Sequence, residues 1–322
     1  MIATLPLISD IDPIFAFGGG GAREYRDNFE SRFSGQLGSV PARRIAAAEI
    51  SAEVRGTSAY WGSAVRSSEV GVVLFRMPSE KAAADAVAPA LLERDRAWDG
   101  QQTEEKVPVD IPGKTGVVAY TKTGKYTGTN IYAFAAVKRF VLVIIGDFEA
   151  DGVRKYVDAT AAAFADFTPT PIDRLKDLAV DGYDLARLTL KPDAGNGGMS
   201  DSVRAILPVR YDVVGSKKYF DDAGVDAAGA GASVVYRARD EAGAGRLAKA
   251  MVAEVRANRP GVQSEGVVGV PGADCLTYTA VTTTETVCVA PVGRYVAEYI
   301  SRQKQRALQA IGASYLILRD VR

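Results

Sequence analysis

Residues 270–300 read VPGADCLTYTAVTTTETVCVAPVGRYVAEYI and carry both cysteines of the chain. Cys275 and Cys288 lie on two runs, CLTYTAV and ETVCVA, whose β-branched and aromatic residues suit a pleated, half-buried surface. The runs meet at residues 281–284, so a hairpin there sets the sulfurs opposite each other and predicts a disulfide. The same stretch echoes an earlier one. Ile111-Pro112-Gly113 followed by Val137-Lys138-Arg139-Phe140-Val141 returns as Val270-Pro271-Gly272 followed by Val292-Gly293-Arg294-Tyr295-Val296.

Working outward, each echo sits in a longer matching series. The first comprises a strand at 70–77, a helix at 79–94 disturbed by Pro89, strands at 107–111, 116–121, 131–137 and 140–145, and a closing helix. That helix places Val153, Tyr156, Val157, Thr160, Ala161, Phe164 and Phe167 on one face. The second series has a strand at 232–239 and a helix with Ala244, Leu247, Ala248, Met251, Val252 and Val255 on one face. Strands follow near Val267 and at 275–281, 286–290 and 294–300, then a last helix with Leu308, Ile311 and Tyr315. The expected fold is therefore α+β, two tandem repeats of β-α-β-β-β-α type. Their sheets are expected to be mainly antiparallel, with helices packed on one face. Thr168-Pro169-Thr170-Pro171 breaks the chain and sets the expected boundary, giving an N-terminal unit 1–171 and a C-terminal unit 172–322 with core repeats at about 70–167 and 232–318.

The flanking segments read less clearly. Tyr25, Phe29 and Phe33 predict one face of a helix over 23–33, and Pro41 predicts the start of a second helix over 41–54. Glycines 18–21 match no phosphate-loop pattern and predict a loop. Residues 204–211 predict a strand, and the Ala/Gly-rich 223–232 a turn.

The composition of the 322-residue chain narrows the chemistry. Hydrophobic residues at 47% and charged residues at 24% are ordinary for a globular protein. Lys plus Arg equals Asp plus Glu at 39 each, which leaves no electrostatic footprint for nucleic acid. The chain contains no histidine, so hydrolysis by Ser–His or Cys–His pairs is excluded. With two cysteines and no histidine, zinc, haem and iron–sulfur ligand sets are lacking, and no cofactor is expected. The apolar run 140–146 is too short to span a bilayer, and MIATLPLISDIDP has neither the basic start nor the apolar core of a signal peptide. The cysteine pair points to an oxidising compartment.

Two patterns invite a catalytic or metal reading. Asp147, Glu149 and Asp151, followed by Gly152, resemble the start of a calcium loop, but Asp158 stands where such a loop needs a bidentate glutamate. Acids at a helix N-terminus are the simpler reading. Ser301-Arg302-Gln303-Lys304 fits SxxK, while the KTG matches at 114–116 and 122–124 come before it, the reverse of the order in penicillin-recognising enzymes.

TPTPIDRLKDLAVDGYDLARLTL at 168–190, AGVD, VVYRARD with AGAGRLA, the cysteine stretch VPGADC…TTT…CVAPVGRYVAEYIS and the terminal AIGASYLIL together resemble a family of lipoproteins of unknown function from mycobacteria, nocardiae and related actinobacteria. Members of that family carry a signal peptide and a lipobox cysteine, which this chain does not show. The resemblance implies an extracytoplasmic, membrane-anchored or cell-envelope protein and offers no catalytic residues to carry over. The expected function is non-catalytic binding of an apolar or amphipathic ligand, such as a lipid, or of an envelope protein. The alternatives are a carboxylate-dependent enzyme acting on an envelope glycan and a purely structural interaction protein.

Overall fold

A computed structural model of the chain describes residues 1–18, 23–60, 67–96, 103, 105–124, 128–192, 198–280 and 283–321. The glycines at 19–21 and the hairpin tip at 281–282 lie outside the described residues. Two compact units form, one from Met1–Trp61 with Val65–Ile172 and one including Asp173–Arg322.

The first unit contains α1 (Ile8–Ile11), β1 (Phe17–Gly18), β2 (Arg23–Tyr25), α2 (Phe29–Leu37), α3 (Ser39–Arg44), β3 (Ile50–Thr57) and β4 (Glu69–Arg76). These are followed by α4 (Glu80–Ala86), β5 (Val107–Val109), β6 (Val117–Gly124), β7 (Gly128–Val137), β8 (Phe140–Gly146) and α5 (Ala150–Ala163). Its antiparallel sheet runs β1-β3-β4-β8-β7-β6-β5, with β2 beside β3. The second unit contains β9 (Met199–Ser202), α6 (Val203–Ile206), α7 (Val213–Ala223), β10 (Ala227–Ala230), β11 (Val234–Arg237), α8 (Glu241–Asn258) and β12 (Gln263–Val267). It ends with β13 (Val270–Ala280), β14 (Thr283–Val292), β15 (Tyr295–Ser301) and α9 (Lys304–Arg319), and its antiparallel sheet runs β12-β13-β14-β15-β11-β10-β9. The order β5-β6-β7-β8-β4-β3 thus recurs as β12-β13-β14-β15-β11-β10. With the short β5 and β12 counted, each repeat has four strands between its two helices.

The repeat extends to single bonds. Val137 pairs with Phe140 and Val292 with Tyr295 across two-residue turns, whose first residues Lys138 and Gly293 have φ of 52° and 54°. Such turns match the twist of the flanking strands. The next residue is arginine in both. The Met77 amide donates to the Arg139 carbonyl at 2.8 Å and Arg139 Nε returns to the Met77 carbonyl at 2.9 Å. The Ala238 amide donates to the Arg294 carbonyl at 2.9 Å and Arg294 Nε returns to the Ala238 carbonyl at 3.3 Å. Each arginine therefore staples a hairpin to the end of the strand that leads into the following helix.

Helices cover both faces of each sheet, which corrects the one-face expectation. In β8, Phe140, Leu142 and Ile144 pack with Tyr156 and Phe164 on the α5 side, while Val141 and Val143 pack with Phe33, Phe75 and Ala83 on the opposite side. In the second unit Cys288 and Ala290 face Ala307 and Ile311 of α9, and Val287 faces Val252 and Val255 of α8. Central strands that are apolar on both sides expose one hydrophobic face unless each is covered.

Four local expectations also change. The helix from Pro41 ends at Arg44, and residues 50–57 form β3, paired with β4 along its full length. Ladder pairing at Ile50, Ala52 and Val54 outweighs the helical preference of the alanines. Tyr25 lies on β2 rather than a helix, although its ring still meets Phe33 at 5.6 Å. Residues 203–206 are helical rather than extended, and the Ala/Gly stretch forms strand β10. Its small residues are required because a Cβ on Gly229 would lie 2.5 Å from the Leu185 carbonyl oxygen.

Cys275 and Cys288 are directly paired in register, 4.0 Å apart at Cα, and are joined by a disulfide fully buried in the α9-side core. In the chain-entropy picture a loop of this size contributes about 3 kcal/mol. Urea unfolding with and without reductant is expected to show a loss of about that size, and both thiols should resist alkylation until the protein is reduced.

Candidate functional site

Cross-strand register aligns one row of side chains across the first unit: Arg55 of β3, Gly71 of β4, Ile145 of β8, Tyr132 of β7 and Tyr120 of β6. Gly71 leaves a gap in this row. It has no side chain to fill the trough between Arg55 and Ile145, and a Cβ there would meet nothing nearer than the Ile145 carbonyl at 4.0 Å. A cleft of about 700 Å³ opens over the gap, with Gly71, Tyr132 and Ile145 as its floor. Gln36 of α2 and Asn130 add side-chain amides, and Ser67, Ser68, Glu69 and Asp147 complete the polar rim.

Helix length decides why the cleft opens in this unit. Counting five residues back from the matched turns, Tyr132 and Ile145 correspond to Val287 and Ile300, which are also paired, and Tyr120 corresponds to Leu276. In the second unit Val252 and Val255, in the C-terminal half of the 18-residue α8, cover Leu276 and Val287. The equivalent α4 has 7 residues, about 10 Å of helix against about 27 Å. It covers less of the row, and Tyr132 remains half-exposed where Val287 is buried. Ile145 is half-exposed too, but its counterpart Ile300 is 45% exposed, so helix length separates the units at Tyr132.

The walls are held by charge. Arg55 donates through Nε to Glu53 at 2.8 Å and through Nη1 to Glu69 at 3.0 Å. Burial alone would lower its pKa, but the two carboxylates outweigh that effect and raise it, so it remains cationic. The Glu69 amide donates to Asp147 Oδ2 at 2.9 Å, and the Asp147 amide to the Glu69 carbonyl at 3.0 Å. This closeness requires glycine at 146, where φ is 129° and a Cβ would lie 2.0 Å from the Glu69 carbonyl oxygen. On the α2 side, buried Asp95 pairs with buried Lys106 at 3.1 Å and accepts the Val40 amide at 2.9 Å. That clamp fixes the α2–α3 junction, and with it Gln36.

The second unit carries a buried charge network. Arg210 Nη1 donates to Glu298 Oε2 at 2.8 Å and to Tyr236 Oη at 2.6 Å, and Nη2 reaches Tyr219 Oη at 3.3 Å. Tyr236 Oη also donates to Glu298 at 2.7 Å, and Tyr219 Oη to Glu254 at 2.7 Å. By register, Tyr236 and Glu298 occupy the positions of Phe75 and Val143, which are apolar core residues in the first unit. Two inward carboxylates are what a carboxylate-dependent enzyme requires, yet here both are committed to Arg210 and to tyrosine hydroxyls. The arrangement ties α7 and α8 to β11 and β15.

The calcium candidates are dispersed. Asp147 serves the Glu69 amide, Glu149 precedes α5, and Asp151 pairs with Arg154 at 2.7 Å and Lys155 at 2.8 Å. Among the described residues no group of three acids gathers as a metal site. In the SxxK and first KTG matches the lysines are ion-paired, Lys304 with Glu265 at 2.5 Å and Lys114 with Asp158. The cleft residues were missed in the sequence. The available signal was Gly71, a lone glycine inside an otherwise apolar strand, a place where a ligand or another backbone can approach closely.

Fold and cleft together define a two-unit α+β protein built on a duplicated antiparallel sheet, in which the row is covered at Leu276 and Val287 in the second unit and open at Tyr132 in the first. The chain belongs to the DUF7373 family, described as a domain of unknown function: residues 1–180 match its N-terminal domain and residues 188–321 its C-terminal domain. Among solved structures, the extracellular domain of PknH from Mycobacterium tuberculosis is similar at 9% identity and a TM-score of 0.36, covering 51% of this chain and 94% of that one. Comparison with curated proteins finds no match.

Burial raises the pKa of Glu254, and Arg210 and Tyr219 offset this only in part. A carboxyl raised in the folded state is protonated in both states below its ordinary value of 4.5, so it has no effect there. As pH rises from 4.5 through the folded value, the unfolded chain ionises first and stability falls. Glu254→Gln, which still accepts from Tyr219, is expected to remove that decline in a series of urea unfolding midpoints against pH. An identical slope in wild type and variant would refute the assignment.

Proposed function

We propose that this is a non-catalytic, extracytoplasmic binding protein of the cell envelope that holds a small ligand in the cleft over Gly71. The observation that carries the reading is the gap itself: a row of in-register side chains is interrupted by one glycine and left uncovered by a short helix. Pockets that bind small molecules are concave and pre-formed, with a few placed polar groups. Location outside the cytoplasm is supported by the buried Cys275–Cys288 disulfide, a bond that persists in oxidising compartments. The likeness of residues 168–318 to actinobacterial lipoproteins supports a membrane-anchored member of that group. Among the described residues no helix is long and apolar enough to cross a membrane. A non-catalytic role is supported by the absence of histidine and by the commitment of Glu254 and Glu298 to Arg210. An apolar or amphipathic ligand suits the cleft poorly, because among the described lining residues only Tyr132 and Ile145 offer it apolar surface of any size. A polar ligand fits better.

Native mass spectrometry of the protein purified from an actinobacterial host, compared with its denatured mass, tests the reading. A discrete excess mass that dissociates on denaturation is expected for wild type and not for Gly71→Leu, whose Cβ meets no atom nearer than the Ile145 carbonyl at 4.0 Å and whose side chain extends into the trough. An adduct retained by Gly71→Leu would place the ligand elsewhere.

A further inference from the structure

The cleft's chemistry narrows the ligand class. Among the described residues its charged lining is one cation and two anions, Arg55 against Glu69 and Asp147. Arg55 is further neutralised by Glu53, and Lys122 Nζ lies 5.4 Å from the Tyr132 ring centroid beside the lining. A phosphate or carboxylate ligand would meet net negative charge and an arginine already engaged by two carboxylates. A cationic ligand would have to compete for those acids, because Glu69 holds Arg55 and one oxygen of Asp147 holds the Glu69 amide. An acyl chain would leave most of the rim facing hydrocarbon, and a polar group that loses water without a new partner costs free energy.

What remains is a neutral ligand covered with groups that both donate and accept. The amides of Gln36 and Asn130 and the hydroxyls of Ser67 and Ser68 each do both, which is the complement of a sugar hydroxyl. Tyr132 and Ile145 lie side by side in register on the floor and offer a narrow apolar strip between polar walls. A pyranose presents the same division, with C–H groups on its ring faces and hydroxyls around its edge. The tyrosine is held in place by stacking on Tyr120, with centroids 5.3 Å apart and planes within 8°, and by Lys122 Nζ at 5.4 Å from its ring centroid. A platform ordered in advance loses little conformational freedom on binding.

We propose that the cleft over Gly71 binds a neutral saccharide, an inference that rests on the binding role proposed above. Maltotetraose, cellotetraose and mannotetraose serve as neutral probes, with tetragalacturonate and a chitosan tetramer as anionic and cationic counterparts. Binding is followed by amide shifts in the isotopically labelled full chain. At least one neutral probe is expected to give saturable shifts at Gly71, Asn130 and Tyr132, with affinity reduced about tenfold or more in Gly71→Leu. Gln36→Ala, on a half-exposed helical position, provides a second variant that leaves the core intact and is expected to weaken the same probe.

Absence of saturable shifts with every neutral probe overturns the saccharide assignment, as does tighter binding of either charged counterpart. If the native adduct is lost in Gly71→Leu while no neutral probe binds, the cleft remains a binding site and only the ligand class is wrong. Saccharide binding that both variants leave unchanged removes the cleft from the account altogether.

Discussion

Arg139 and Arg294 each bind a tight turn to the end of a neighbouring strand through a reciprocal pair of hydrogen bonds. Their importance lies in register. In an antiparallel sheet a slip of one residue sends every side chain to the opposite face. With Val137 opposite Phe140 and Val292 opposite Tyr295, the alternation of β7, β8, β14 and β15 is determined, and the neighbouring strands follow by pairing. The disulfide depends on the same alignment, since only this register sets Cys275 against Cys288 and turns both toward α9. Lys138 adopts the left-handed backbone that Gly293 adopts in the other repeat, which indicates how firmly the surrounding sheet holds the turn.

Given that register, the two units differ in what covers equivalent rows. The α9-side face and its counterpart under α5 are closed in both, by helices of 16 and 14 residues. On the opposite face α8 extends far enough to bury Leu276 and Val287, while α4 ends early and α2 packs alongside Phe75 instead. One end of the row is left to Gln36 and solvent. The cleft thus arises from a shortened helix and a missing side chain rather than from a new element.

The units also diverge in how they fill the layer between sheet and helices. Phe75 and Val143 form a dry core in the first, whereas Tyr236 and Glu298 at the same positions gather Arg210, Tyr219 and Glu254. A buried arginine with two acids is stable only if each member is hydrogen-bonded, because an uncompensated charge in that layer is strongly unfavourable. The tyrosine hydroxyls supply those bonds. The first unit uses its own buried ion pair, Asp95 with Lys106, at the α2–α3 junction, where it shapes the wall of the cleft.

Much of this organisation was legible along the chain. The absence of histidine, the duplicated turn with its arginine, the strand-forming runs and the opposed cysteines are local properties, set by side-chain type and spacing. They determined the fold class and the disulfide. Residues 50–54 read as the end of a helix because the alanines of 41–54 favour one, and 227–230 as a turn because of their small Ala and Gly residues. Pairing with β4 and close packing of Leu185 decided their conformation. Coverage of both sheet faces was foreshadowed by runs such as 140–145, apolar at successive positions and therefore on both faces, but which helices lie over each face was decided by the fold. The cleft and the Arg210 network could be decided only in three dimensions. Arg55, Gly71, Tyr132 and Ile145 come from four strands, and Arg210, Tyr236, Glu254 and Glu298 from segments far apart in the chain. No short-range pattern relates them, and they meet because sheet register and helix length bring them to one place.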